Sequence, residues 1–331
     1  MQYRTLGGTG LNISEVGFGS WAIGGPSRLG ELEIGWGEVD DEVSIRSLHA
    51  ALDAGINFFD TADVYGNGHS EEVIGKAFAG KRDQVIIASK VGNRTLPNGE
   101  WKKDFSPEWV REAVDHSLRR LQTDTIDLYQ LHSASDPADY SDEVFAALEE
   151  IKQAGKIRFY GVSVGPTEHG PRLIRQGKGD TIQVVYNILG REPEDELLGL
   201  AEQENVGIIA RVPLASGFLT GKYDENTTFP ENDHRQRRYP PERIRELVGE
   251  VGKLAFLTAD TDKTLAQASL QYCLSHPAVS CVIPGAKTPE QVRDNAAASD
   301  GVLLTAEEAE KVRTSVLGDA CNYGPTIRRD R

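Results

Sequence analysis

Residues 52–77 read LDAGINFFDTADVYGNGHSEEVIGKA. Gly55 turns the end of a helix, and Ile56-Asn57-Phe58-Phe59 has the length and apolar content of a buried strand. The strand ends at Asp60. A polar, Gly-rich loop then carries Tyr65, and Ser70 reads as the cap of the next helix. In a parallel barrel, an aspartate at a strand's end and a tyrosine on the following loop face one cavity, at the end where active sites are built.

The rest of the chain repeats this strand-then-helix unit. Buried strands are predicted over 15–19, 56–59, 84–90, 126–131, 157–163, 181–185, 206–211 and 279–283. Helical patterns separate them. One starts at Asp40-Asp41, one runs from a Ser106 cap and Pro107 to Leu121, and others cover about 144–153, 166–175 and 195–203. Further helices are expected over about 242–257, 264–275, 289–297 and 305–317. Residues 3–13, with glycines at 7, 8 and 10, read as a β-hairpin placed as a plug or flap ahead of the repeat. The alternation predicts one (β/α)8 TIM barrel domain over 1–331, with an N-terminal hairpin and extra C-terminal helices. No stretch of linker composition divides the chain. A doubly wound sheet is the rival, but Gly17-Phe18-Gly19 lacks the third glycine and the helix start of a dinucleotide fingerprint.

The 331 residues suit such a barrel with added loops. A net charge of -15 argues against a nucleic-acid partner, because phosphate is repelled outside a local basic patch. The N-terminus lacks an apolar signal region and no apolar run spans a bilayer, so no membrane role and a cytoplasmic location are expected. Cys273, Cys281 and Cys321 lack metal or disulfide spacing, and no metal is expected. The seven histidines are dispersed, which leaves a metal-dependent barrel lyase or isomerase without support.

Asp60, Tyr65, Lys90 and His132 all fall at or just after predicted strand ends. Singly, each has a plainer reading as a turn cap, packing residue, solvated cation or structural histidine. Together they make chemical sense. A phenol is a poor acid at neutral pH. A nearby ammonium favours its phenolate, a carboxylate holds that ammonium, and a histidine orients a carbonyl.

Gly55 to Gly66, then Ser89-Lys90 and Leu131-His132, resemble the aldo-keto reductases. The resemblance extends through Gly161-Val162-Ser163, the strand with Gln183, residues 213–222 and residues 282–287. It implies an NADP(H)-dependent oxidoreductase that moves hydride between nicotinamide and an aldehyde, ketone or matching alcohol, with NAD(H) as the other cofactor. Tyr65 would be the general acid in reduction and base in oxidation, Lys90 would lower its pKa, Asp60 would pair with Lys90, and His132 would orient the carbonyl. Ser163 and Gln183 match positions that hydrogen-bond the nicotinamide carboxamide. Pro213, Leu214, Ser216, Gly217, Leu219 and Lys222 match the loop over the pyrophosphate. Gly285, Lys287, Thr288, Gln291 and Asn295 match the surroundings of the adenosine and its 2′-phosphate. Trp21 is a substrate-pocket candidate.

Two departures stand out. Val164 occupies a position where the family often has Asn, and Arg211 one where it often has an aromatic that stacks on nicotinamide. A planar guanidinium either stacks there or binds an anion. Residues 234–239, HRQRRY, read as a solvated loop that alternatively supplies an arginine to the cofactor phosphates. The resemblance also covers cofactor-binding regulatory subunits of ion channels with little turnover, which is the alternative function. Substrate identity and oligomeric state stay open.

Overall fold

In a computed structural model, which describes residues 1–30, 32–96 and 100–320, eight parallel strands form one sheet in sequential order. They are β1 (Phe18–Gly19), β2 (Phe58–Asp60), β3 (Ile86–Val91), β4 (Ile126–Ala134), β5 (Ile157–Val164), β6 (Thr181–Val185), β7 (Gly207–Arg211) and β8 (Val279–Ile283). The ends of the sheet meet. Gly17 N donates to Val282 O at 2.8 Å, Val282 N to Glu15 O at 2.9 Å, and Gly19 N to Pro284 O at 3.0 Å. This is the expected barrel. Cys321 and the basic C-terminal residues lie outside the described residues.

Helices cover the outside: α1 (Asp41–Asp53), α2 (His69–Ala77), α3 (Pro107–Leu121), α4 (Asp142–Gln153), α5 (His169–Arg175) and α6 (Leu197–Gln203). Local chemistry explains their bounds. The Ser106 side chain accepts from Trp109 N, Pro107 opens α3, and Gln122 in the left-handed region ends it. Its Val110, Val114 and Leu121 bury against the barrel wall at helical spacing. Ser70 corrects the reading of the sequence. Gly68, not Ser70, stands at the start of α2, because a left-handed backbone is needed there (φ 94°). Ser70 is fully buried inside the first turn, where it donates to Ser20 Oγ at 2.7 Å and accepts from Thr61 Oγ1 at 3.0 Å.

The N-terminal hairpin pairs Tyr3–Thr5 with Asn12–Ser14 and closes one barrel end. Leu6, Leu11 and Ile13 join Phe58, Ala88, Leu128, Ile209 and Cys281 in a core inside the barrel. Gly8 N donates to Asn205 O just ahead of β7, which identifies the plugged end as the one where strands begin. The opposite end is left for chemistry.

That end carries two small hairpins without a counterpart in the sequence reading, Arg28–Leu29 with Leu32–Glu33 and Asn93–Thr95 with Trp101–Lys103. The long connection after β7 holds a 3-10 turn, Ala215–Thr220, and α7 (His234–Arg238), followed by α8 (Pro241–Gly252) and α9 (Leu265–Leu274). Two further helices, α10 (Pro289–Ala296) and α11 (Ala306–Ser315), end the described chain. Residues 234–238 are thus a helix rather than a solvated loop. His234 is buried and stacks on Trp21 with ring centroids 4.7 Å apart. Arg235 binds Asp233 at 2.5 Å and lies between the rings of Trp36 and Phe229. Aromatic faces supplied from elsewhere in the chain convert a basic run into a docked element. Among the described residues no helix is long and apolar enough to cross a membrane.

Candidate active site

The four strand-end residues converge. Lys90, at the end of β3, is fully buried, as is Asp60 at the end of β2. The Lys90 ammonium donates to Asp60 Oδ1 at 2.5 Å, to Thr61 O at 2.7 Å and to the Tyr65 hydroxyl at 3.3 Å. All three of its donors are therefore used. Burial works against the charge, but Asp60 and Tyr65 outweigh it and hold the ammonium above the ordinary lysine range.

The loop that presents Tyr65 is held by close packing. Gly66 has φ 63°, and a Cβ there would stand 2.0 Å from Gly24 O. Trp21 stacks on the phenol with centroids 5.7 Å apart and planes 17° apart. Burial raises the Tyr65 pKa and Asp60 adds to the rise, while Lys90 and Arg211 oppose it. Lys90 pulls in the expected direction, and burial makes the net change upward. The half-buried phenol therefore keeps its proton at neutral pH, and Lys90 is the group that favours its phenolate.

His132 lies edge-on to Tyr65, with centroids 5.7 Å apart. Its aim comes from a bulge. The β4–β5 register shifts between His132 and Ala134, with Ser133 at φ 53°. Asn93 Nδ2 donates to His132 Nδ1 at 3.3 Å, which leaves Nε2 as the protonated donor. Burial, then Lys90, Lys103 and Arg211, push its pKa well down, so the ring is neutral.

The remaining candidates divide into two groups. Inside the barrel, Gln183 Nε2 donates to Asp60 Oδ2 at 2.8 Å, and Ser163 Oγ donates to Gln183 Oε1 at 3.3 Å. These two side chains thus form a line to the Asp60 carboxylate. At the phosphate-type loop, Ser216 and Gly217 turn the backbone at φ 58° and 96°, and a Cβ on Gly217 would come 2.9 Å from the Tyr223 hydroxyl. Pro213, Leu214 and Leu219 are buried beneath this turn, and Lys222 is exposed beside it. Thr288 caps α10 by accepting from Gln291 N, Gln291 Oε1 accepts from Lys287 N at 2.8 Å, and Asn295 Nδ2 donates to Gly285 O at 3.4 Å. Lys287 Nζ reaches Trp36 O at 2.5 Å. Burial lowers the Lys287 pKa, and Arg235 and Lys222 lower it further. Lys222, Lys287 and Arg235, the last paired with Asp233, stand beside a glycine-bearing turn, a donor set that fits the phosphates of a dinucleotide.

Four side chains of the site escape the sequence reading. Gln130 Nε2 donates to Asp60 Oδ2 at 3.3 Å. A signal exists for it, because a lone amide two residues before His132 in an apolar strand shares its face. Asp63 falls within the stretch 52–77. Its carboxylate accepts from Asn93 N at 3.3 Å and lies 4.0 Å from His132 Nδ1. Asn93 and Lys103 lie on a hairpin without apolar periodicity, so no pattern marks them.

Burial, with Glu71 nearby, raises the Asp63 pKa to about 7. A folded-state pKa above the unfolded one stabilises the protein at low pH. That contribution is lost as pH rises from about 4 through about 7. Asp63→Asn is therefore expected to be more stable than the parent at pH 8 by a few kcal/mol, since each pH unit between the two pKa values is worth roughly 1.4 kcal/mol, and to show no gain near pH 4. Urea unfolding at both pH values checks this; an equal change in stability at the two would contradict it.

Asp60, Lys90, Tyr65 and His132 thus meet at the open end of a parallel barrel, with a glycine-bearing turn after β7. The aldo/keto reductase family model matches residues 15–316, and the chain belongs to that family. It resembles an aldo-keto reductase from Bacillus halodurans in its holo form, with 34% identity, TM-score 0.79, and 96% of this chain and 97% of that one covered. It is 32% identical to an NADH-specific methylglyoxal reductase of Escherichia coli, over 90% of this chain and 93% of that protein. It is also 32% identical to an aldo-keto reductase of Schizosaccharomyces pombe named for NADP(+), over 88% of this chain and 86% of that protein.

Proposed function

We propose that this protein is an NADP(H)-dependent carbonyl reductase, or alcohol dehydrogenase in reverse, with Tyr65 as its general acid and base. The observation that carries this reading is the fully buried Lys90–Asp60 pair, whose ammonium also contacts the Tyr65 hydroxyl. When bound, the nicotinamide supplies or takes up the hydride. The chain's part is to bind the carbonyl and handle the proton. His132 Nε2–H and the Tyr65 hydroxyl donate to the substrate oxygen and polarise it. As alkoxide character develops, the Tyr65 proton moves to that oxygen, and Lys90 stabilises the phenolate left behind. Asp60, steadied by Gln130 and Gln183, keeps the ammonium charged and aimed. Ser163 and Gln183 contact the carboxamide in this reading, which asks the Gln183 amide to serve both groups.

Ser216, Gly217, Lys222 and Arg235 would hold the pyrophosphate, and Lys287, with Thr288 and Gln291 beside it, the 2′-phosphate. Names of relatives point to both cofactors, so the preference for NADP(H) rests on Lys287. A higher kcat/KM with NADPH than with NADH is expected, narrowed about tenfold or more by Lys287→Met, as the loss of one charged hydrogen bond implies. A clear NADH preference in the parent protein would defeat the cofactor assignment. The general test is NADPH oxidation followed by absorbance against a panel of aldehydes and ketones. Tight cofactor binding with no turnover of any of them would favour a regulatory role instead.

A further inference from the structure

Beside Tyr65 and His132 the site holds two cations that the reaction above does not use. Lys103 comes from the hairpin after β3, and its ammonium donates to His132 O at 2.6 Å. Arg211 ends β7, and its Nη2 donates to Val164 O at 3.1 Å. Val164 pairs with Ala134, two residues beyond His132. The two cations thus sit on carbonyls at the ends of the same adjacent strands, β4 and β5. The two departures from the family pattern, Val164 and Arg211, therefore touch each other.

Arg211 is held in place at some cost. Val212, which follows it, has φ 55°, an unfavourable conformation for a β-branched residue, and Asn187 Nδ2 grips the Val212 carbonyl at 3.0 Å. Both cations are half-buried, where water screens their charge poorly.

We propose that Lys103 and Arg211 form an anion-binding subsite beside Tyr65 and His132, so that the preferred substrate is a carbonyl compound also bearing a carboxylate or a phosphate ester. The proposal rests on the reductase reading of this site. Both partners suit an anion: the guanidinium offers a planar fork and the ammonium a point charge. Burial pulls the Lys103 pKa down to about 8 and mutual repulsion with Arg211 adds to this, a charge imbalance that an incoming anion relieves. The opposing carboxylates are Asp63, whose own charge is weakened by burial, and Asp139. Lys103 and Arg211 thus bring two positive charges to one side of the site in a chain of net charge -15.

The test compares kcat/KM, with NADPH, for matched aldehydes: succinic semialdehyde against butyraldehyde, 4-carboxybenzaldehyde against its methyl ester, and glyceraldehyde 3-phosphate against glyceraldehyde. The acid-to-neutral ratio is expected to be about tenfold or more for at least one pair, which also shows whether carboxylate or phosphate is the better fit. One charged hydrogen bond is worth that much. The ratio should collapse towards one in Lys103→Met and in Arg211→Gln, and fall from low to high salt in the parent protein. The ratio is the readout, whatever happens to either rate alone. If the parent turns over both members of every pair equally, or if both variants keep its ratio, the subsite is wrong. If either variant fails to fold, the salt series on the parent decides: a large ratio unmoved by salt overturns the proposal. No turnover of any aldehyde, charged or neutral, marks the failure of the reductase reading instead.

Discussion

Tyr65→Phe is expected to lower kcat for carbonyl reduction on the order of 10³-fold while leaving the dissociation constant for NADPH within about a factor of three. General acid catalysis contributes about 10²–10⁴. The change deletes one oxygen and keeps the ring, so the stack on Trp21 and the edge contact with His132 persist. The hydroxyl's contact with Lys90 is long, at 3.3 Å, and its loss does not strand the ammonium, which keeps Asp60 and Thr61. Stability should therefore change little. Single-turnover reduction and cofactor titration separate the two effects. Retention of more than about a tenth of kcat would remove Tyr65 from the proton-transfer role.

Lys90→Met is expected to abolish turnover and also to destabilise the fold, and the two losses have different origins. Removing the ammonium leaves Asp60 charged, buried and without its cation. Breaking a buried pair from one side costs about 3–5 kcal/mol. For a domain of this size, that lowers Tm by roughly 4–7 °C. Replacing both partners, Lys90→Met with Asp60→Asn, removes the stranded charge. An asparagine oxygen can still accept from Gln130 and Gln183, which now donate to Asp60 Oδ2. The double variant should recover most of the lost stability and none of the activity. Thermal unfolding of the two singles and the double, with turnover measured on each, closes the cycle. A Lys90→Met protein as stable as the parent would show that the pair is not the buried couple described here.

The same contrast between charge and surroundings explains where a reading of the sequence goes astray. Ser70 resembles a helix cap because serine before an acidic pair suits an N-terminus. The chain needs a left-handed residue there, and Gly68 supplies it. The basic run 234–238 reads as solvated because nothing local says that Trp36 will stack on Arg235 and Trp21 on His234. Lys103 and Asn93 bear no signal because their hairpin has neither strand length nor alternation, yet it delivers both to His132. In each of these last two cases the deciding partner lies far away in the chain.

Periodic and repeated features are the ones legible in one dimension. Apolar runs of strand length alternating with amphipathic helices leave a parallel barrel as the simplest way to bury every strand on both faces. A polar residue recurring at strand ends must then emerge at one mouth, which brings Asp60, Lys90 and His132 together before any coordinate is known. How these groups are charged and aimed emerges in three dimensions alone. Burial raises Tyr65 and lowers His132 against their ordinary values. A bulge turns His132, and a strained Val212 follows Arg211. Desolvation and strain depend on neighbours brought in through space, and a linear pattern holds no record of them.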